Sequence, residues 1–120
     1  MKRNAAFDLD DRLVDFAVEV IDVVESLPET RAGRHVAGQL VRSGTSPAPN
    51  YGEAQSAESQ RDFVRKMKVS LKELRETMVW LKIIRKRKMW NHKQLEEVIR
   101  ECNELISIFV ASVKTAAAKL

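Results

Sequence analysis

The most constraining feature of this chain is a line of basic residues between positions 61 and 86. The steps between its members alternate between three and four, and only Val79 fills a missing place. Residues at this spacing lie along one side of an α-helix, so the pattern predicts a long helix with a charged outer face. The basic stripe consists of Arg61, Arg65, Lys68, Lys72, Arg75, Lys82 and Lys86.

A second line of charge, with the opposite sign, lies near the start of the chain. It follows the same helical spacing and is interrupted only by Val18. In both lines the charged positions lie two residues from the apolar positions, which is about 200° around a helix, so both point away from the core. The acidic stripe consists of Asp8, Asp11, Asp15, Asp22 and Glu25.

Four amphipathic segments account for most of the chain, at about 8–27, 30–56, 60–87 and 92–115. Pro28 ends the first, because the residue before a proline avoids the helical conformation. Ser59 followed by Asp62, and Asn91 followed by Gln94, are helix-start signals for the last two. Helical periodicity with short connections and no strand alternation predicts an all-α fold. We expect one domain, residues 1–120, forming an antiparallel up-down-up-down four-helix bundle.

The second segment contains prolines inside its apolar pattern. Ser46 could cap a fresh helix with Pro47 at its first position, where proline is tolerated. Alternatively, one helix continues with a proline kink. Because Ala48, Tyr51 and Ala54 keep the helical spacing, we expect a second helix that is bent or broken near Pro47 and Pro49 and reaches about residue 56.

The two stripes cannot neutralise each other within one copy of this bundle, because the first and third helices of an up-down bundle are diagonal. Three interpretations follow: both stripes are solvated faces, they pair between subunits, or the basic stripe binds a polyanion. Pairing between different faces of identical subunits closes into a ring when the rotation allows. Several apolar residues off the main core lines have either a core or an interface role: Val14, Val18, Trp80, Trp90, Ile108 and Val110.

A dense basic run, Arg85, Lys86, Arg87 and Lys88, closes the third predicted helix just before Trp90. Cations at this end of a helix interact favourably with its dipole, which requires no ligand. The run also resembles a phosphate-binding patch beside an aromatic ring. Both interpretations are compatible with the sequence.

The sequence offers little that predicts catalysis. Neither His35 nor His92 has a glutamate three residues before it, so the motif of a di-iron bundle is missing. Cys102 lies on an apolar helix face, the glycines are scattered, and no metal-ligand spacing occurs. We therefore expect no enzyme and no cofactor. The lone cysteine, the early acidic residues and the lack of an apolar run of about 18 residues predict a cytoplasmic protein with no membrane segment.

Several motifs resemble the S23 or 23S ribosomal RNA intervening-sequence protein family. They are QLVRSGTS at 39–46, NYGEA at 50–54, Asp62-Phe63, and SLKEL at 70–74, and the resemblance spans roughly residues 7–113. It implies a left-handed up-down bundle that assembles as a homopentameric ring. Its motif residues Asn50, Glu53 and Asp62 are expected to form a structural polar network near the second helix connection. Pro47 and Pro49 depart from the family pattern.

The leading hypothesis is a non-enzymatic protein that forms a homo-oligomeric ring and binds RNA through its basic face. The alternative is an adaptor that docks another polypeptide, such as a reverse transcriptase, because a more distant related group works with one. Under the leading hypothesis the acidic stripe contacts a neighbouring subunit. The contact residues for RNA or for a subunit are the basic stripe together with Arg85, Arg87 and Lys88.

Overall fold

All regular secondary structure in the described residues is helical. The computed structural model describes the backbone of residues 5–120 and the side chains of residues 9–120. Within that range no strand occurs, which confirms the predicted all-α fold. The helical segments are α1 (Ala5–Ser26), α2 (Arg31–Thr45), α3 (Pro47–Gln55), α4 (Gln60–Arg87) and α5 (His92–Ala117).

Segments α2 and α3 form a single bent rod, so the bundle has four rods. Ser46 between them keeps helical dihedral angles (φ −73°, ψ −37°), and the amide of Asn50 donates to the Ser46 carbonyl at 3.2 Å. The bend follows from Pro47 and Pro49, which lack the amide hydrogens that would continue the helical ladder. The Ser46 hydroxyl does not cap α3. It accepts from Asn50 Nδ2 at 2.9 Å instead.

Helices α2, α4 and α5 begin where polar caps satisfy their first amide groups. Ser59 Oγ accepts from the amide of Asp62 at 3.1 Å at the start of α4, and Asn91 Oδ1 accepts from that of Gln94 at 3.0 Å at the start of α5. Thr30 caps α2 in the same way. Helix α4 ends at Lys88, whose φ of 57° is left-handed. These local signals set where each rod turns back.

The rods pack as an antiparallel up-down-up-down bundle, as predicted. Helix α1 packs against the α2/α3 rod and against α5, and α4 packs against the same two neighbours. In the described part of the chain the backbones of α1 and α4 do not approach each other closely. They are the diagonal pair, and adjacent antiparallel steps leave them running in the same direction.

The core of the described chain is apolar except for a small polar layer, formed by Ser43 and Thr77, and the separate buried hydroxyl of Ser70. Phe16 and Phe109 are its largest fully buried side chains. Thr77 donates its hydroxyl to Ser43 Oγ at 2.9 Å between α4 and α2, and both are fully buried. Beside this layer, Gly44 lets the backbone of α2 approach α1, because a Cβ there would lie 2.7 Å from Val20 Cγ1. The α1–α2 contact is therefore close.

Candidate interaction surface on the outer faces of α1 and α4

The basic stripe lies on the outer face of α4, and all seven of its members are exposed. Arg65 is hydrogen-bonded to Asp62 on its own helix. The other six have no acidic partner in the described part of the chain. Of the terminal run, Arg87 and Lys88 are exposed, whereas Arg85 is half-buried and its Nη1 lies 3.2 Å from Glu96 Oε1 on α5. Most of this positive charge therefore faces solvent uncompensated.

Apolar side chains are interspersed with these cations. Val69, Val79 and Ile83 are exposed on the same side of α4. Near the start of α4 a groove of about 410 Å³ has an apolar floor and a basic rim. This α4 groove is lined by Val64, Val69 and Leu120, with Arg61, Arg65, Lys68 and Lys72 around them. Exposed valines among charges are typical of a surface that is covered by a partner.

The outer face of α1 has the complementary composition. Asp11, Asp15, Asp22 and Glu25 are exposed there, whereas the side chain of Asp8 lies outside the described residues. Alongside them an apolar line is formed by Val14, Val18 and Ile21, which are 53%, 52% and 42% exposed. The sequence pattern had already singled out Val14 and Val18. Ile21 extends their line by one more turn.

The opposite side of α1, toward α5, carries charges that are paired or partly buried. Arg12 Nη2 lies 2.7 Å from Glu101 Oε1 and 3.1 Å from Glu104 Oε2 on α5. The hydrogen bonds that Arg12 donates to Glu101 raise the pKa of Arg12 above its usual value. Burial, together with Glu101 and Asp15 nearby, raises the pKa of Glu19. This contact joins α1 to α5 on the side away from the exposed line of Val14, Val18 and Ile21.

A second basic surface lies along the seam between α4 and α5, and its α5 members were not predicted. A groove of about 250 Å³ on this seam is lined by Lys82, Arg100 and Asn103, and its acidic member, Glu96, is hydrogen-bonded to Arg85. Lys114 lies on the same side of α5 by helical spacing. The signal was present in the sequence, since Lys93, Arg100 and Lys114 are separated by multiples of seven residues.

On the side of α4 that faces α2, the charged side chains are paired with each other, unlike those of the basic stripe. Arg42 on α2 is hydrogen-bonded to Glu73, at 3.1 Å, and to Glu76. Trp80 Nε1 donates to Glu76 at 3.2 Å, and the His35 ring packs edge-on against the indole. Trp80 is thus half-buried in this seam, and Trp90 is half-buried at the α1–α5 groove. Of the remaining apolar candidates, Ile108 is half-buried and Val110 is exposed.

The three residues expected to form a polar network make separate pairs around the α3–α4 connection. Asn50 donates to Ser46, Lys66 Nζ lies 3.6 Å from Glu53 Oε1, and Asp62 is bonded to Arg65. The hydrogen bond from Arg65 lowers the pKa of Asp62. The Glu53–Lys66 pair joins α3 to α4 next to their connection, whereas the Asn50–Ser46 and Asp62–Arg65 bonds each link residues of a single rod.

The remaining chemically reactive groups lie apart from these surfaces. Cys102 is fully buried, its Sγ donates to the Leu74 carbonyl at 3.5 Å, and burial raises the pKa of its thiol to about 12. Both histidines are exposed. Among the described residues, no cluster of histidine, cysteine and carboxylate side chains has the arrangement of a metal site. In that same range, no helix combines the length and apolarity needed to span a bilayer.

Fold and surface together define a small helical-bundle protein with two oppositely charged outer faces. The model of the family described as 23S rRNA-intervening sequence protein matches residues 8–111. The chain therefore belongs to the 23S rRNA-intervening sequence protein family, as the resemblance indicated.

A solved structure supports the fold independently. It is a protein of unknown function from the S23 ribosomal protein family of Bacteroides thetaiotaomicron, which superposes with a TM-score of 0.82 at 28% sequence identity. The alignment covers 88% of this chain and 98% of the other. A search of curated proteins finds no match.

Proposed function

We propose that this chain is a non-enzymatic cytoplasmic protein whose task begins with assembly into a homo-oligomeric ring. Five subunits is the number that the family resemblance implies. The contact joins the outer face of α1 in one copy to the outer face of α4 in the next. Two different faces of identical subunits make a heterologous contact, which closes into a ring when the rotation allows.

The observation that carries this proposal is the diagonal placement of two complementary faces. The carboxylates on α1 and the cations on α4 lie on opposite sides of one copy, so they meet only between copies. Each face also exposes three aliphatic side chains along its helix. Exposed ion pairs contribute only about 0–1 kcal/mol each, so the apolar residues would provide affinity and the charges orientation.

Light scattering on the purified protein tests the proposal. We expect a mass several times that of one chain at micromolar concentration. Changing Lys68, Lys72 and Arg75 to glutamate should reduce the mass to that of a monomer, because like charges would then face each other across the contact. The matched control reverses three exposed cations elsewhere, Arg31, Arg34 and Lys93, and should leave the assembly intact.

Two results would count against the ring. A monomeric wild-type protein at high concentration would refute it and would favour the adaptor alternative, in which the same faces dock another polypeptide. An assembly that survives the α4 reversal, or that the control disrupts equally, would show that this face is not the contact.

RNA binding is a second candidate function, and the α4–α5 seam is the observation that favours it. Lys82 on α4 and Arg100 on α5 line one groove, Lys114 follows on the same side of α5, and Glu96 in that groove is already engaged by Arg85. Cations whose neighbouring carboxylate is already paired attract phosphate backbones. Because Arg100 and Lys114 lie on α5, outside the proposed α1–α4 contact, RNA binding there is compatible with assembly.

Filter binding to a structured RNA over a range of salt concentrations tests this second function. Changing Arg100 and Lys114 to glutamate should weaken binding and reduce the slope of log K against log salt by roughly 1.4–1.8, since two phosphate contacts are lost. The control, Arg31 and Arg34 to glutamate, makes the same change in charge on α2. Equal losses in both variants, or a flat salt response of the wild type, would refute a dedicated RNA site on this seam.

A further inference from the structure

We infer that neighbouring copies meet in one defined register. In this register α1 of one copy runs parallel to α4 of the next at equal height, with the α2/α3 rods toward the ring axis. Val14 of the first copy then faces the α4 groove of the second. This inference rests on the proposed ring and adds its geometry, which neither the stripes nor the family membership specifies.

The first argument is the order of side chains across each face. A helix turns about 100° per residue, so positions can be ordered around its axis. From the α2 side toward the α5 side, α1 presents Ile21 and Val14 first, then Glu25 and Val18, and last Asp11, Asp22 and Asp15. Helix α4 presents Val69 and Ile83 first, then Lys72 and Val79, and last Lys68, Arg75 and Lys82. When the α2/α3 rods of both copies face the same way, the aliphatic side chains of α1 meet those of α4, and the carboxylates of α1 meet the cations of α4.

The same ordering determines how the ring closes. The apolar lines on α1 and α4 are both displaced toward the α2/α3 rod rather than pointing in opposite directions. Within one copy, the angle between the contact face of α1 and that of α4 is therefore less than 180° when measured on the side of the α2/α3 rod. Successive copies curve toward this side, which places the α2/α3 rods around the ring axis. The basic α4–α5 seam consequently lies on the outside.

The second argument is height along the bundle. Val20 packs beside Gly44, and the neighbouring Ser43 is bonded to Thr77, so Val20 and Thr77 lie at one level. At the other end, Leu9 and Met67 line the same cavity. Helices α1 and α4 run in the same direction and rise equally per residue. Rotation about an axis parallel to the rods preserves height, so Asp15 meets Lys72 and Glu25 meets Lys82.

In this register Val14 lies just above Val69, at one end of the α4 groove. The groove has an apolar floor and a rim of four cations, and its volume of about 410 Å³ can accept side chains from an approaching helix. Asp11 and Asp15, one turn or less from Val14, carry the charge that this rim attracts. One turn or two further along, Ile21 approaches Val79.

Engineered cysteines test the register in the full-length chain. A variant with both Val14→Cys and Val69→Cys should oxidise to a ladder of covalent oligomers that ends at the mass of the wild-type assembly. The pair Ile21→Cys and Val79→Cys should behave in the same way. The control pair Val14→Cys and Val110→Cys places the second thiol on α5, where Val110 is exposed, and should remain a single chain on a denaturing gel. Cys102 is buried and does not compete.

The outcomes separate this inference from the proposed ring. Ladders from both register pairs and none from the control support it. Wild-type protein that assembles while neither register pair cross-links, or while the control pair does, overturns the register and leaves the ring intact. If the cysteines of one register pair prevent assembly, the other register pair provides the test. Light scattering before oxidation shows whether the variant carrying that pair still assembles. A monomeric wild-type protein removes the ring and the register together.

Discussion

Exchanging the charges of α1 and α4 together is expected to restore an assembly that either half of the exchange abolishes. The acidic half changes Asp15, Asp22 and Glu25 to lysine, and the basic half changes Lys68, Lys72 and Arg75 to glutamate. Each half alone places like charges across every contact, which costs several kcal/mol and corresponds to a loss of association of more than about 100-fold. The six-residue variant has opposite charges facing each other again.

Mixing the two half-exchanged proteins gives a sharper result. A chain with two positive faces can bind only a chain with two negative faces, so the two proteins must alternate around any ring. Alternation closes only with an even number of subunits. If the wild-type ring has five, the mixture cannot reproduce its mass, whereas the six-residue variant can.

Analytical sedimentation of the two half-exchanged proteins, their mixture and the six-residue variant, each compared with the wild type, measures this outcome. The simplest contradiction would be a six-residue variant that stays monomeric although its circular dichroism shows a folded bundle. In that case the charges act on something other than a neighbouring copy. A half-exchanged protein that assembles alone would equally contradict the contact, because no arrangement of its faces avoids repulsion.

The bundle was predictable because its signals are local or periodic. Ser59 and Asn91 mark helix starts through side chains that reach only three residues ahead. The diagonal relation of the two stripes follows from chain order alone once four antiparallel rods are assumed. The sequence predicted that the second helix is bent or broken near Pro47, but it did not predict which of the two occurs. Whether Ser46 stays helical or caps a new helix depends on how the rod packs against its neighbours.

The charged surfaces proposed as contacts were harder to predict, because contacts between helices determine which charged side chains are paired. The sequence groups Arg85 with Lys86 and Arg87, and only the packing of α5 against α4 shows that Glu96 engages Arg85. The pairing of Arg12 with Glu101 also could not be predicted, because the two residues are far apart in the sequence. Arg100 and Lys114 add charge to the α4–α5 seam only because α5 lies there. Periodicity places a residue on a face, and tertiary packing determines what that face meets.

Replacing Gly44 by alanine is expected to cause a large loss of stability for a single added methyl group. The new Cβ would lie 2.7 and 2.8 Å from the two Cγ atoms of Val20 and 3.1 Å from its Cβ. Rotating χ1 of Val20 leaves its Cβ in place, and every staggered rotamer keeps at least one methyl group in one of the two close positions, so rotation cannot remove the clash. Helices α1 and α2 must separate instead. We expect the free energy of unfolding to fall by about 1–3 kcal/mol and the Tm by roughly 4–15 °C.

Gly38 provides the matched control on the same helix. Its added Cβ meets no atom within 4 Å, so Gly38→Ala should raise the stability by about 0.5–1 kcal/mol through helix propensity alone. Thermal and urea unfolding of both variants measure the contrast. The double variant Gly44→Ala with Val20→Ala should be more stable than the sum of its single effects, because the second change removes the clash created by the first. Strict additivity would mean that the close approach of α1 and α2 at Gly44 does not limit this bundle.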